Sequence, residues 1–99
     1  MLMLSRTAAA LYWLGRHLER ADFLARLVEA TIRLDALSAR PAGEIAWQSA
    51  LAVSYTDEAF AKTGDPTTQS HVARFLTLVA SHSGSIVSCL DRARNNARA

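Results

Sequence analysis

The segment from Leu4 to Leu37 constrains the fold of this 99-residue chain more than any other. It contains no proline and a single glycine, and it is rich in alanine, leucine, arginine and glutamate, which all favour helix. We therefore predict one long helix over residues 4–37. Ser5 is expected to cap its N-terminus, and Pro41 together with Gly43 is expected to end it.

A second helix is predicted from about Glu44 to Lys62, because apolar side chains recur every four residues on one face, at Trp47, Leu51 and Tyr55. The sequence Gly-Asp-Pro at residues 64–66 then predicts a turn, since glycine tolerates positive φ and proline blocks continuation of a helix.

A third helix, capped by Thr67 or Thr68, is predicted from a stripe that obeys the i, i+3, i+4, i+7 rule: Val72, Phe75, Leu76 and Val79. Residues 81–84 break it. A fourth helix is predicted from near Ser85, with a second stripe formed by Ile86, Leu90, Ala93 and Ala97. The expected fold class is all-α, a bundle of about four helices with a long N-terminal helix.

The length of the first helix suggests a larger assembly. At about 1.5 Å per residue it spans about 50 Å, whereas a compact globule of this chain length is about 33 Å across. The last helix reaches Arg98-Ala99 with neither glycine nor proline to end it. We expect residues 1–99 to form a single helical domain or the N-terminal fragment of a longer one.

Composition excludes several classes of function. The net charge is only +2, and acids lie among the arginines of the first helix, so no nucleic-acid partner is expected. Cys89 is the only cysteine, which precludes an internal disulfide and fits a cytoplasmic protein. The apolar run from Thr7 to Gly15 is bracketed by Arg6 and Arg16 and is too short to cross a membrane, so no membrane partner is expected.

The first helix is predicted to have two apolar sides. One side, expected to face the core, carries Leu11, Leu14, Leu18, Ala21, Ala25, Val28 and Ile32. The opposite side carries Tyr12, Trp13, Phe23, Leu24, Leu27 and Leu34. Such a helix needs cover on both sides, so we expect a homo-oligomer or another partner there. The candidate interface residues are Tyr12, Trp13, Phe23 and Leu27.

Three charged residues, Arg16, Glu19 and Arg20, lie among those apolar side chains. One interpretation is a structural ion pair between Arg16 and Glu19, which are three residues apart, or arginines whose heads reach solvent. The other is a cluster in which the arginines bind a carboxylate or phosphate and Glu19 orients them or acts as a base. The residues themselves leave both open.

The chain resembles the bacterial alpha-E domain family, named for a Glu-Arg motif. The likeness lies in residues 3–8 (MLSRTA), 11–21 (LYWLGRHLERA), 85–86 (SI) and 89–98 (CLDRARNNAR), and extends through Trp47 and the pair Phe75-Leu76. The motif corresponds to Glu19 and Arg20. Arg94 and Asn96 also match the family pattern, and we expect them to complete a binding cluster if the two helices lie together.

Two segments depart from the family pattern. Asn95 stands where the family usually has glutamate, and Ser81-His82-Ser83 replaces a usual Asp-Asn-Pro. A function that needs either feature is therefore in doubt for this chain. The resemblance also implies a chain about a third the length of a usual member, and a setting beside ATP-grasp ligases and transglutaminase-like peptidases.

Three hypotheses follow. The chain is an accessory or interaction component of a peptide- or amide-bond synthesis and processing system, or an enzyme or anion-binding domain built on Arg16, Glu19 and Arg20, or a fragment without a function of its own. No residue is predicted to be catalytic and no cofactor is expected. His17, His71 and His82 lie on different elements without the spacing of a metal site, so no metal is expected either.

Overall fold

A computed structural model describes residues 2–37, 42–79 and 81–98. These residues form five helices and no strand, so the all-α prediction is confirmed. The helices are α1 (Leu2–Leu37), α2 (Ala42–Val53), α3 (Asp57–Ala61), α4 (Gln69–Thr77) and α5 (Ile86–Arg98).

Helix α1 is the spine of the molecule. The chain measures 57 × 25 × 17 Å along its principal axes, and 36 helical residues span about 54 Å. Helix α1 makes its most extensive contacts with α5, followed by α2 and then α4. Helices α2, α4 and α5 therefore pack directly on α1, whereas α3 packs on α2. It begins at Leu2, so the prediction that Ser5 is its N-cap is wrong.

The core lies beside the C-terminal half of α1, where all the main helices contribute to one cluster. Leu24, Val72 and Leu76 are completely buried, and Trp47 is nearly so. The other core residues are Ala21, Val28, Ala50, Leu51, Phe60, Phe75 and Cys89. The Trp47 indole N–H donates to Asp35 Oδ2 at 3.0 Å, which joins the end of α1 to α2.

The core-facing side of α1 differs from the prediction. Leu11, Leu18, Ala25 and Ile32 are exposed, whereas Leu24, placed on the opposite side, is completely buried. The apolar residues of α1 cover so much of its circumference that the pattern does not single out one direction. The positions at which α2, α4 and α5 pack decide which side of α1 faces the core. The buried side carries Ala21, Leu24, Val28 and Thr31.

The predicted second helix is two helices. Helix α2 ends at Val53 because Tyr55 adopts a left-handed conformation, with φ of 58°. The Thr56 N–H donates to the Leu51 carbonyl at 2.9 Å, and the Tyr55 N–H donates to the Ala52 carbonyl at 3.1 Å. This pair of bonds is a Schellman motif, which usually has glycine at the left-handed position. Tyr55 is 89% exposed, so its predicted place in the apolar stripe is wrong.

Helix α4 follows the sequence prediction closely. Thr68 is its N-cap, and Val72, Phe75 and Leu76 are buried as expected. Val79 lies beyond the end of the helix and is half-buried.

The stripe predicted on α5 is wrong at Leu90 and Ala97, which are exposed. Cys89 and Ala93 face the core instead. The Ser85 hydroxyl accepts the Ser88 N–H at 3.2 Å, as an N-cap does.

The connection between α1 and α2, residues 38–41, lies outside the described residues, and Pro41 is one of them. Gly43 lies in the first turn of α2 rather than at the end of α1. A Cβ atom built on Gly43 would lie 2.1 Å from Asp35 Oδ1, so only glycine permits α2 to approach α1 this closely without displacing the Asp35 carboxylate. No helix in the described part of the chain is long and apolar enough to cross a membrane.

Candidate functional site

The middle of α1 carries a band of aromatic and charged side chains that the rest of the chain leaves open. Tyr12 and Trp13 are 60% and 51% exposed, and their rings meet edge to face with centroids 5.2 Å apart. About three and four turns further along α1, Phe23 is 39% exposed and Leu27 is half-buried. The four predicted interface residues therefore all reach the surface of the chain.

Arg16 and Glu19 form the ion pair that their spacing predicts. Arg16 donates to Glu19 Oε2 at 3.1 Å. The two side chains are 58% and 70% exposed, so water screens the pair and its contribution to stability is about 0.2–1 kcal/mol. This pair is a surface feature and not part of a buried charge network.

Arg20 has a different role from Arg16. Its guanidinium donates to the Ser54 carbonyl oxygen at 2.6 Å and lies 5.7 Å from the centroid of the Phe23 ring. Ser54 is completely buried and occupies the C-terminal cap position of α2, where helix carbonyls lack partners. A cation at that end of a helix is also favoured by the helix dipole. Arg20 thus fixes α2 against α1.

The charged residues line a shallow, open cavity of about 320 Å³. Arg16, Glu19, Arg20 and Phe23 contribute from α1, and Val53 and Tyr55 contribute from the end of α2. The left-handed turn at Tyr55 is therefore what completes the cavity wall. Sequence reasoning missed Val53, Ser54 and Tyr55 as members of this site. No glycine marks the turn, so the residues carried no signal for it.

A second open cavity, of about 350 Å³, lies beside the first along the α1–α2 seam. Apolar side chains from both helices line it, namely Leu27 and Leu34 from α1 and Ile45 and Val53 from α2. Leu34, Ile45 and Val53 are each more than half exposed. We call this seam the α1–α2 groove. Val53 lines both cavities, so the groove and the charged cavity adjoin each other at this side chain.

The structure does not bring all the predicted binding residues together. Arg94 is exposed on α5 and forms no hydrogen bond or ion pair within the described part of the chain. The Asn96 side-chain amide donates to the Arg92 carbonyl at 2.8 Å, within its own helix. Asn95 points to solvent as well. The charged cavity on α1 is formed without α5.

A further polar cluster lies on the core side of Arg20. The His82 ring stacks on Phe75 with centroids 4.0 Å apart, and burial, followed by the nearby Arg20 and Arg92 charges, lowers its pKa from the usual 6.5. Burial raises the pKa of the Cys89 thiol, against the opposing effect of the same two arginines. Cys89 is therefore held as a thiol in the core, which is the reverse of what a nucleophile needs.

Binding a metal ion requires several ligating side chains close together. Across residues 2–37, 42–79 and 81–98, histidine, cysteine, aspartate and glutamate nowhere gather in threes close enough to hold a metal ion. The charged cavity and the α1–α2 groove are the two open cavities that border the exposed aromatic and charged side chains of α1.

These features define a class: an all-helical domain organised on one long helix, with a Glu-Arg pair at the point where the second helix is anchored. The only Glu-Arg dipeptide of the chain is Glu19-Arg20. The chain belongs to the Alpha-E family, whose model matches residues 3–99 and is described as a predicted alpha-helical domain with a conserved ER motif. Neither a curated protein nor a solved structure matches the chain.

Proposed function

We propose that this chain is a protein-docking component of a bacterial, cytoplasmic system that makes and processes peptide or amide bonds. The observation that supports the proposal is the open band of Tyr12, Trp13, Arg16 and Phe23 on α1, which we call the docking band. Tryptophan, tyrosine and arginine are the residue types that most often dominate binding energy at protein interfaces. Three of the four side chains in the docking band are of these types, and such a set on one exposed helix face suits a partner surface.

The neighbouring α1–α2 groove extends this surface. Its lining residues Leu34, Ile45 and Val53 are exposed and apolar, and it adjoins the charged cavity through Val53. An amphipathic helix binds in such a groove by placing apolar anchors one helical turn apart. The aromatic residues would then bind at one end of the partner segment and the groove along its length.

The proposed partner is an ATP-grasp ligase or a transglutaminase-like peptidase, which the family's usual setting favours. Either enzyme acts on amide bonds, and the proposed role requires no catalytic group from this chain. The role of the chain would be to hold the enzyme in place, which fits an exposed aromatic band better than an enclosed active site.

Calorimetry with purified proteins tests this proposal. An ATP-grasp ligase and a transglutaminase-like peptidase from the same organism are each titrated into the chain. Trp13→Ala and Phe23→Ala should each weaken binding of one of them at least tenfold, about 1.4 kcal/mol or more. Leu78→Ala provides the matched control, because Leu78 is 66% exposed but lies at the end of α4, away from the band. Absence of binding to both enzymes, or equal binding by all variants, would overturn the proposal.

A second function, binding of a small anion, is favoured by the charged cavity. Arg16 is exposed at the cavity and holds only a screened pair with Glu19, so its guanidinium can exchange that carboxylate for a ligand's. Arg20 is less available because its guanidinium already bonds to Ser54. Titration with inorganic phosphate and with a dicarboxylate, each compared with Arg16→Ala, tests this function. If neither anion gives a heat of binding, or if Arg16→Ala gives the same heat as the wild type, the anion-binding function is ruled out.

A further inference from the structure

The turn between α4 and α5 places a histidine ring flat on a core side chain. The His82 ring stacks on Phe75, with their planes 16° from parallel. Two hydrogen bonds to the His82 carbonyl oxygen hold the turn in place, from the Ser85 N–H at 3.1 Å and from the Ser88 hydroxyl at 2.9 Å. Phe75 is only 6% exposed, so the imidazole closes over one face of a residue that belongs to the core.

One nitrogen of the His82 ring is buried without a partner. The Nε2 atom is shut off from solvent and has no hydrogen bond to any of the described residues. It lies against Gly84, because a Cβ atom added there would come within 2.9 Å of it. A neutral imidazole tolerates this position, since Nε2 carries no proton when Nδ1 carries one. The imidazolium has an N–H at both nitrogens, and a buried N–H without an acceptor is costly. The stacked position therefore suits the neutral ring.

The charges packed around the stack also disfavour the protonated ring. Arg20 of α1 and Arg92 of α5 lower the pKa of His82, in addition to the larger effect of burial. Burial keeps the Cys89 thiol of α5 neutral, so it supplies no countercharge. The face of Phe75 attracts a cation, but the two guanidinium groups and the unpaired N–H oppose that attraction.

His82 also borders an open cavity of about 430 Å³, in which a protonated ring would find acceptors. Helix α3 contributes the exposed Glu58 to the cavity wall, and Lys62 and Tyr55 border it as well. A change of side-chain rotamer would move the ring from Phe75 into this cavity. There, water and the Glu58 carboxylate can accept its N–H groups, and a charge-assisted bond to a carboxylate is among the stronger hydrogen bonds.

We propose that His82 is a pH-sensitive gate over Phe75. The neutral ring stays stacked on Phe75 and closes the gate. The protonated ring turns into the cavity beside Glu58 and uncovers the face of Phe75.

Opening the gate enlarges the space around Phe75. A neighbouring cavity of about 420 Å³ shares Thr63 and Phe75 with the first and is also bordered by Asp65, His71 and Arg74. With His82 turned away, the two cavities meet over an aromatic floor. The gate lies at α3, α4 and α5, away from the docking band on α1, so it does not rest on the proposed function.

Proton uptake favours the open position. A ring in the open cavity is in contact with water, so it takes up a proton at a higher pH than the buried, stacked ring does. As the pH falls below the ordinary histidine value of about 6.5, the open position is therefore increasingly favoured, until the stacked ring is protonated too.

Nuclear magnetic resonance of the full chain tests the gate. Nuclear Overhauser contacts between the ring protons of His82 and Phe75 report the stack, and circular dichroism reports the helices. The contacts should be present at about pH 7.5 and lost at about pH 5, while the helix content is unchanged. Contacts that persist after His82 has taken up its proton overturn the proposal. Loss of the contacts only together with the helix signal overturns it too, because the whole chain would then be unfolding.

Two substitutions test the parts of the gate. In His82→Gln the chemical shifts of the Phe75 ring protons should lose their dependence on pH; a dependence like that of the wild type would contradict the role of His82. Glu58→Gln should lower the midpoint of the transition by at least about 0.3 pH unit, a twofold loss of proton affinity.

Glu44→Gln is the matched control for Glu58→Gln. It makes the same change of charge at an exposed residue of α2 that lines a different cavity, and it should leave the midpoint unchanged. A midpoint that Glu58→Gln does not move, or that both variants move equally, would contradict an open position beside Glu58.

Discussion

The two halves of α1 are built from similar residue types, but one half packs against the core and the other is exposed. From Ala21 to Asp35 the helix buries Leu24 and Val28. Its outer surface there carries two ion pairs at i, i+4 spacing, Asp22–Arg26 and Glu29–Arg33. From Met3 to Leu18 no residue is buried, and the outer surface carries leucines and aromatics instead. We call these the closed half and the open half.

The difference shows that apolar content does not decide which part of a helix is buried. The open half is as apolar as the closed half, but α2, α3 and α4 pack toward the other end of the spine, around Trp47 and Phe75. Exposed ion pairs such as these are solvated by water and contribute little to the free energy of folding, so the surface that carries them is stable in contact with solvent. Exposed apolar patches mark a surface that awaits a partner.

The largest expected effect is in the core of the closed half. Leu24→Ala should lower the free energy of unfolding by about 2–5 kcal/mol, since it removes a completely buried side chain and leaves a cavity. Tyr12→Ala in the open half should change it by no more than about 0.5 kcal/mol. Urea denaturation of the two variants measures the contrast. Similar losses for both would mean that the open half is packed after all.

A smaller effect is expected at Arg20, on the boundary between the halves. Arg20→Ala should destabilise the chain by about 1.5–3 kcal/mol, because the buried Ser54 carbonyl loses its charged donor. Glu19→Ala should cost less than about 1 kcal/mol, because its pair with Arg16 is exposed to water. Thermal melting of both variants compares the two members of the Glu-Arg motif. A larger loss for Glu19→Ala would contradict the assignment of Arg20 as the anchor.

The smallest effect is expected from pH, and it belongs to the packing around the closed half. His82 has a lowered pKa in the folded chain, so below about pH 6.5 the unfolded chain takes up the proton first. The stability should therefore fall as pH falls below that value, until the folded chain is protonated too. Melting temperatures between pH 7.5 and 5 should fall less in His82→Gln than in the wild type. An equal fall in His82→Gln and in the wild type would contradict the assignment of this pH dependence to His82.

Local sequence signals predicted the helices well where breakers and caps are explicit. The absence of proline gave α1, and the spacing of Val72, Phe75 and Leu76 gave the buried face of α4. The break at Tyr55 could not be predicted, because a tyrosine in the left-handed conformation is held there by bonds to Leu51 and Ala52 and not by its own preference.

The candidate site was predictable only as far as its contacts are local. The Arg16–Glu19 pair spans three residues, and periodicity alone indicates it. The Arg20–Ser54 bond spans 34 residues, and its acceptor is a main-chain carbonyl that any residue would supply. Leu11 and Leu18 were assigned to the wrong side for the same reason, since the direction of the core depends on where α5 packs.

Of the two tryptophans of the chain, Trp13 lies in the open half, and Trp47 lies on α2, in the core that packs against the closed half. Trp47 is 1% exposed and Trp13 is 51% exposed. Because water relaxes around an excited indole and shifts its emission to longer wavelength, the molecule carries two native fluorophores with separable spectra. In Trp47→Phe only Trp13 emits, so a blue shift reports a partner covering the open half. In Trp13→Phe only Trp47 emits, and a red shift reports opening of the core.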